Sequence, residues 1–175
     1  MKKDFVVFDF ETTGLTPPRQ IIEIGALKIK NGRVVDKFHM MVKPTREIEY
    51  GAQKAHGITM EDLKDAAGIR KALPKFLKFI DFFPLVGHNI SGYDIPILQE
   101  AMYQLRYGEL KCEVVDTLTI ARKLLPKYVV KNHKLETLLG LFGKKKNVRH
   151  RAIDDCYDEL FLYRELSKLA RASRR

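Results

Sequence analysis

The chain has 175 residues, with 32 lysines and arginines against 22 aspartates and glutamates, and 45% of it is apolar. The length favours one domain over residues 1–175, and the apolar content suffices for a core. These values exclude a disordered tail protein and a disulfide-dependent miniprotein, and two cysteines, Cys112 and Cys156, favour a reducing compartment. The net charge of +10 favours a polyanionic partner, while composition leaves nucleic acid, membrane and acidic protein open.

Nearly all of the excess positive charge lies in residues 122–151. This stretch holds ten basic residues and one acid, Glu136, whereas residues 1–121 have a net charge of +1 and residues 152–175 a net charge of zero. Such a run is either a solvated loop or a phosphate-binding face, and we favour the second interpretation. The predicted contacts to a phosphate backbone are Lys144, Lys145, Lys146, Arg149 and Arg151.

The N-terminal segment does not predict export or membrane insertion. Lys2 and Lys3 resemble the start of a signal peptide, but Asp4 and Asp9 bracket the apolar run that follows. No hydrophobic region of sufficient length remains between them. We therefore expect a soluble, cytoplasmic protein without a membrane partner.

The first 42 residues predict an antiparallel meander of three strands. Residues 4–10 are β-branched and aromatic, and they run into a Thr-Thr-Gly turn. Residues 21–30 and 33–42 flank Asn31-Gly32, a pair that accepts the two positive φ angles of a type I′ turn.

After residue 60 the pattern changes to alternating helices and short strands. Apolar residues from Ile69 to Ile80 recur on one helical stripe, in which Pro74 indicates a kink or a later start. Strands are predicted at 84–88 and 112–116, and helices at 92–105, 117–125, 134–142 and 151–171. The predicted fold class is α/β, a mixed sheet in which parallel strands extend the meander and helices cover its faces.

Asp9 and Glu11 are the most informative polar residues. Side chains two apart on a strand point to the same face, so these carboxylates lie side by side at the end of an apolar strand. Neighbouring carboxylates repel each other unless a proton or a cation lies between them, and hard oxygen ligands suit Mg²⁺ and Mn²⁺. Two solvated acids at a strand end are the alternative, because Asp-x-Glu by itself is common.

Three further features accompany this pair. Thr12-Thr13-Gly14 follows at once and offers hydroxyls and amides to an incoming group. Asp94 stands where a predicted strand passes into a helix, a position also typical of a helix cap. His150 and Asp155 are five residues apart, so they can meet one site only if His150 lies on the loop before the helix.

In order, these segments are Asp9-x-Glu11-Thr-Thr-Gly, then His88-Asn89 with Tyr93-Asp94, then His150 with Asp155. Together they resemble the DnaQ-like 3′–5′ exonucleases of the DEDD superfamily, His-containing branch, whose best-known member is the proofreading epsilon subunit of bacterial DNA polymerase III. The resemblance covers residues 4–165, and it departs at Tyr93, where members commonly carry Phe. The Asn89–Asp94 stretch is one residue longer than the family pattern, and the tandem Asp154-Asp155 leaves a register choice that the spacing from His150 settles for Asp155.

The resemblance implies a ribonuclease H-like fold and hydrolysis of a phosphodiester with two divalent ions, Mg²⁺ or Mn²⁺. It makes Asp9, Glu11, Asp94 and Asp155 the metal ligands, and it makes His150 the general base on the attacking water. The product would be a nucleoside 5′-monophosphate. The implied contacts to the terminal nucleotide are Thr12, Thr13, Gly14, Leu15, His56, Ile58, Asn89 and Tyr93.

The leading prediction is therefore a metal-dependent 3′–5′ exonuclease on single-stranded DNA ends, either alone or as a DNA polymerase subunit. An exoribonuclease of the same superfamily is the first alternative, since one sequence does not reveal contacts to the 2′-hydroxyl. A nucleic-acid-binding or polymerase-associated module with a vestigial site is the second. The sequence leaves the oligomeric state open.

Overall fold

The computed structural model describes residues 2–145 and 150–173, which form six strands and six helices. In chain order these elements are β1 (Phe5–Thr12), β2 (Ile21–Lys30), β3 (Arg33–Lys43), α1 (Tyr50–His56), β4 (Ala67–Gly68), α2 (Ile69–Ile80), β5 (Leu85–Gly87), α3 (Asp94–Gln104), β6 (Val114–Asp116), α4 (Thr117–Leu124), α5 (Leu135–Leu141) and α6 (Ala152–Ala172).

The strands form a mixed sheet in the order β4-β3-β2-β1-β5-β6. Antiparallel pairing joins β1 to β2 and β2 to β3, and parallel pairing joins β1 to β5, β5 to β6 and β3 to β4. The predicted fold class is confirmed. In the β2–β3 turn, Asn31 and Gly32 have φ angles of 50° and 75°, which are the two positive values that the Asn-Gly pair predicted.

Alternation along β1 decides which helices meet the candidate carboxylates. Phe8 and Phe10 belong to the core beneath α2 and α3, whereas Val7 packs with residues of α6 on the other face. Asp9 and Glu11 continue the phase of Val7. Both carboxylates therefore face α6.

The helix α2 begins where its apolar stripe begins. It buries Ala72, Leu73, Phe76 and Ile80, and Pro74 lies inside it. The expectation of a later start is wrong, because burial of the stripe outweighs the one hydrogen bond that a proline lacks.

Two elements, α1 and β4, were not predicted. They have seven and two residues, too few for a periodic pattern. The longest helix, α6, has 21 residues and packs against β1 and β2. Within the described part of the chain, no helix has the length and apolar character needed to cross a membrane.

Candidate active site

Four carboxylates converge at the carboxyl end of β1. Asp9 and Glu11 come from β1 itself, Asp94 is the first residue of α3, and Asp155 lies in the first turn of α6. The Phe10 N–H donates a hydrogen bond to Asp94 Oδ1 at 3.2 Å, which fixes the start of α3 against β1. Three elements that are distant in sequence thus supply one acidic cluster.

His150 joins this cluster from the segment that precedes α6. Its Nδ1 lies 3.1 Å from Asp155 Oδ2, and its backbone N–H donates a hydrogen bond to the carbonyl of Ala55 in α1 at 3.3 Å. One ligand atom from each of Glu11, His150 and Asp155 lies within 4.8 Å of the others. The neighbouring Asp154 is exposed while Asp155 is buried, which agrees with the register that the five-residue spacing selects.

Burial and mutual repulsion of the carboxylates disfavour negative charge in this cluster. Burial raises the pKa of Asp9 well above its ordinary value, and repulsion from Asp94, Glu159, Glu11 and Asp155 raises it further. Burial also raises the pKa of Asp94 to about 7, against the opposing effect of the Phe10 N–H. A site that disfavours its own negative charge in this way stabilises a cation placed among its oxygens.

The donor set fits a divalent metal ion. Carboxylate oxygens of Glu11 and Asp155 lie within 4.8 Å of each other, and the charge of Asp94 acts on Asp9 beside them. Such oxygens are the ligands that Mg²⁺ and Mn²⁺ prefer. Asp9, Glu11, Asp94 and Asp155 could hold such ions. His150 adds one ring nitrogen beside Asp155.

Glu159 is a fifth acid at this site, and the sequence motifs did not reveal it. It is buried, its Oε1 accepts a hydrogen bond from the His88 N–H at 2.9 Å, and its charge acts on Asp9. The signal that could have found it is its place four residues after Asp155, on the same face of α6. It ties the helix that carries Asp155 to the end of β5.

A second unpredicted feature, the pair Glu23–Arg151, positions α6. Glu23 is fully buried on β2, and its carboxylate accepts hydrogen bonds from Arg151 Nη2 at 2.8 Å and from the Ala152 N–H at 3.1 Å. His39 Nε2 lies 2.6 Å from the same carboxylate. Next to this contact, a Cβ placed on Gly25 would come within 2.4 Å of the Ala152 backbone, so only glycine permits this approach of helix to sheet.

The predicted nucleotide contacts Thr12, Thr13, Gly14 and Tyr93 lie together beside the carboxylates. The hydroxyl of Thr12 donates to the Gly14 carbonyl at 2.8 Å, and the Tyr93 hydroxyl lies 2.9 Å from Thr12 Oγ1. The side chain of Arg19 stacks over the Tyr93 ring at 4.4 Å. These contacts form a polar wall next to Glu11.

The remaining predicted nucleotide contacts differ in their surroundings, and one of them, Ile58, is buried in a core cluster with Ile22 and Leu63. His56 is buried, and its Nδ1 accepts a hydrogen bond from the Ile58 N–H at 3.0 Å. Burial lowers the pKa of His56, and interaction with the Thr12 backbone opposes that shift. Leu15 is 73% exposed at the rim. Asn89 instead lines a groove on the α4 side.

Two of the predicted phosphate contacts pair with acids of the protein. Lys144 forms an ion pair with buried Asp158 at 2.7 Å, and Arg151 is engaged by Glu23. Both cations therefore have an acidic partner within the protein, and their contact with a phosphate backbone stays a prediction. Lys145 is exposed, and Lys146 and Arg149 lie outside the described residues.

A family model described as exonuclease (RNase_T) matches residues 6–163. The PolC-type DNA polymerase III of Thermotoga petrophila is 38% identical over 152 residues, which cover 86% of this chain and 11% of that protein. Its counterpart in Bacillus subtilis is 36% identical over 169 residues, covering 95% of this chain and 12% of that protein. The chain thus spans about a tenth of the length of these relatives.

Solved structures show the same fold. Escherichia coli exonuclease I in complex with a dT13 oligonucleotide has a TM-score of 0.80 at 16% identity, and the match covers 95% of this chain and 41% of that one. Exonuclease X in complex with 5′ overhanging duplex DNA has a TM-score of 0.74 at 24% identity, with 94% of this chain and 91% of that chain covered.

Proposed function

The chain belongs to the exonuclease (RNase_T) family, and from this premise we propose that it removes nucleotides one at a time from the 3′ end of single-stranded DNA with the help of two divalent ions, Mg²⁺ or Mn²⁺. The predicted resemblance to DnaQ-like exonucleases of the DEDD superfamily is confirmed at the family level. We place the chain in the His-containing branch because His150 contacts Asp155.

One observation carries this proposal. Carboxylates from β1, α3 and α6 meet at one edge of the sheet, and a histidine stands beside them. Divalent ions held by Asp9, Glu11, Asp94 and Asp155 would neutralise the charge that develops on the attacking and leaving oxygens of a phosphodiester.

We propose His150 as the general base. Its Nδ1 lies 3.1 Å from the Asp155 carboxylate, so we assign the proton of the neutral ring to Nδ1, which leaves Nε2 as the basic nitrogen. Nε2 then accepts a proton from the attacking water. The water oxygen then bonds to phosphorus, the bond from phosphorus to the 3′-oxygen breaks, and that oxygen takes a proton from solvent. A nucleoside 5′-monophosphate leaves.

The names of similar proteins favour DNA as the substrate. The relatives are DNA polymerases, and the two structures of similar fold contain DNA. We propose that Tyr93 and Thr12, which lie beside Glu11, contact the terminal nucleotide. Association with a polymerase, as a proofreading activity, is part of the proposal because PolC-type proteins contain the matching segment.

Digestion of matched oligonucleotides tests the proposal. With Mg²⁺ or Mn²⁺, the protein should shorten a 5′-labelled single DNA strand stepwise from its 3′ end, and EDTA should stop the reaction. The Asp9→Ala variant should lose at least about 10³-fold in rate, because it removes one of the four carboxylates proposed to hold the metal ions. The matched control is Asp36→Ala, which removes an exposed acid from β3.

The DNA and RNA arms of this assay separate the alternatives. Stepwise digestion of RNA with DNA left intact would replace the proposal by an exoribonuclease. A protein that degrades neither strand with either metal would be a binding module, and equal rates for Asp9→Ala and Asp36→Ala would exclude this site as the catalytic centre.

A further inference from the structure

A second polar feature, which we call the basic groove, lies beside the acidic cluster. It has a volume of about 790 Å³ and runs between α4, the segment that follows it, and the loop after β5. Four of its lining residues are the cations Arg122, Lys127, Lys131 and Lys134, and all four are exposed. Among the described residues that line it there is no aspartate or glutamate.

Specific hydrogen bonds hold the wall of the basic groove in one conformation. His88 Nε2 donates to the carbonyl of His133 at 2.9 Å, and His133 Nε2 donates to the carbonyl of Leu125 at 2.7 Å. Asn132 Oδ1 accepts from the Lys134 N–H at 3.0 Å. These bonds fix the backbone that carries the lysines, so four like charges are held on one concave face.

The groove leads to the acidic cluster. Its lining includes His88 and Asn89, which directly follow β5, and β5 pairs in parallel with β1. Asp116 Oδ1 accepts the Asn89 N–H at 3.0 Å and so fixes the loop that continues to Asp94. Carboxyl ends of parallel strands share one edge of a sheet, so groove and cluster are neighbours.

An exposed aromatic residue accompanies the cations. Tyr128 is 89% exposed and lies in sequence between Lys127 and Lys131. Basic residues interleaved with an exposed ring are typical of surfaces that bind single strands, in which cations contact phosphates and rings stack on bases. An acidic peptide has carboxylates but lacks bases for such a ring.

We propose that the basic groove binds the phosphate backbone of the nucleic acid strand several nucleotides before its scissile 3′ end. This inference rests on the proposed function and adds a second contact zone to it, made by Arg122, Lys127, Lys131 and Lys134. Such contacts do not depend on base sequence, and they weaken as salt rises.

Binding without catalysis tests the groove directly. The anisotropy of a labelled dT15 strand, titrated in EDTA at several salt concentrations, gives the affinity and its salt slope. Each phosphate contact of a single strand contributes about 0.7 to that slope, so Lys127→Gln/Lys131→Gln should lower it by about 1.4. At 0.1 M salt this corresponds to binding weaker by about 25-fold.

The matched control removes two exposed lysines from α2, on the opposite face of the sheet. Lys75→Gln/Lys78→Gln has the same change of net charge, and we expect less than a twofold change in affinity. Equal salt slopes for the two double variants would overturn the proposal. Unchanged dT15 binding together with lost binding of a glutamate heptamer would also overturn it, in favour of an acidic protein partner.

A one-nucleotide substrate separates this inference from the proposed function. The p-nitrophenyl ester of thymidine 5′-monophosphate reaches the acidic cluster but is too short for the groove. The Lys127→Gln/Lys131→Gln variant should keep its kcat/KM for the ester, and its KM for dT15 should rise by about 25-fold at 0.1 M salt, in line with the weaker binding. If the unmodified protein cleaves neither substrate, the proposed function fails, while the EDTA titration still decides the groove.

Discussion

Glu23 holds the N-terminus of α6 in place, and replacing it by glutamine should lower the stability of the fold. The carboxylate is fully buried and accepts hydrogen bonds from Arg151 and the Ala152 N–H, with His39 beside it. In Glu23→Gln, an NH₂ group replaces one carboxylate oxygen, so a hydrogen-bond donor faces the N–H donors of Arg151 and Ala152. The charge that pairs with the guanidinium is lost as well.

The magnitude follows from these contacts. A hydrogen bond to a charged group is worth about 1.5–3 kcal/mol, and loss of a buried ion-pair partner costs about 3–5 kcal/mol. The Arg151 side chain is 39% exposed and can regain water, which reduces the loss. We therefore expect the free energy of unfolding to fall by about 3 kcal/mol, and the Tm to fall by about 6–12 °C.

Urea denaturation and calorimetry at pH 7 measure both quantities. Burial alone would raise the pKa of Glu23, but hydrogen bonds from Arg151, His39 and the Ala152 N–H lower it below its ordinary value. The stabilisation is therefore present above the unfolded pKa of about 4.3 and is lost as the pH falls through the folded value. In that acidic range, the difference in the free energy of unfolding between the unmodified protein and Glu23→Gln should become smaller.

The control is Glu61→Gln, which removes an exposed acid paired with exposed Lys64. We expect it to change the free energy of unfolding by less than about 0.5 kcal/mol. The reasoning is refuted if Glu23→Gln is as stable as Glu61→Gln at pH 7. It is also refuted if the difference between the free energies of unfolding of these two variants is unchanged at the lowest pH at which both remain folded.

Two further predictions concern the acidic cluster and its support. His150→Gln should lower kcat by about 10²–10⁴-fold while calorimetry still detects Mn²⁺ binding, because the base is removed and the carboxylates remain; loss of Mn²⁺ binding would make His150 a ligand. Gly25→Ala should cost about 1–3 kcal/mol of stability and also lower activity, because a methyl group would push the Ala152 backbone and Asp155 with it. Gly68→Ala is the control, since its Cβ would meet nothing within 4 Å, and equal stability of the two variants would show that the approach of α6 to β2 is not tight.

Much of the fold could be predicted from local pattern. The Asn31-Gly32 turn and the stripe of α2 follow from φ preference and helical period, which depend on neighbours along the chain. The short α1 could not be predicted, because seven residues do not establish a period. Yet the backbone of α1 contacts His150, so an unpredicted element forms part of the candidate site.

The candidate site divides in the same way. The sequence by itself determined that Asp9 and Glu11 share a face, and that His150 must precede the helix of Asp155, because strand and helix periods dictate both. Only the tertiary structure decided that Arg151 pairs with Glu23, 128 residues away. It also decided that four of the cations between Arg122 and Lys134 line one groove. The physical reason is that the sequence gives ten basic residues and one acid over residues 122–151, whereas packing decides which of these cations pair with buried acids.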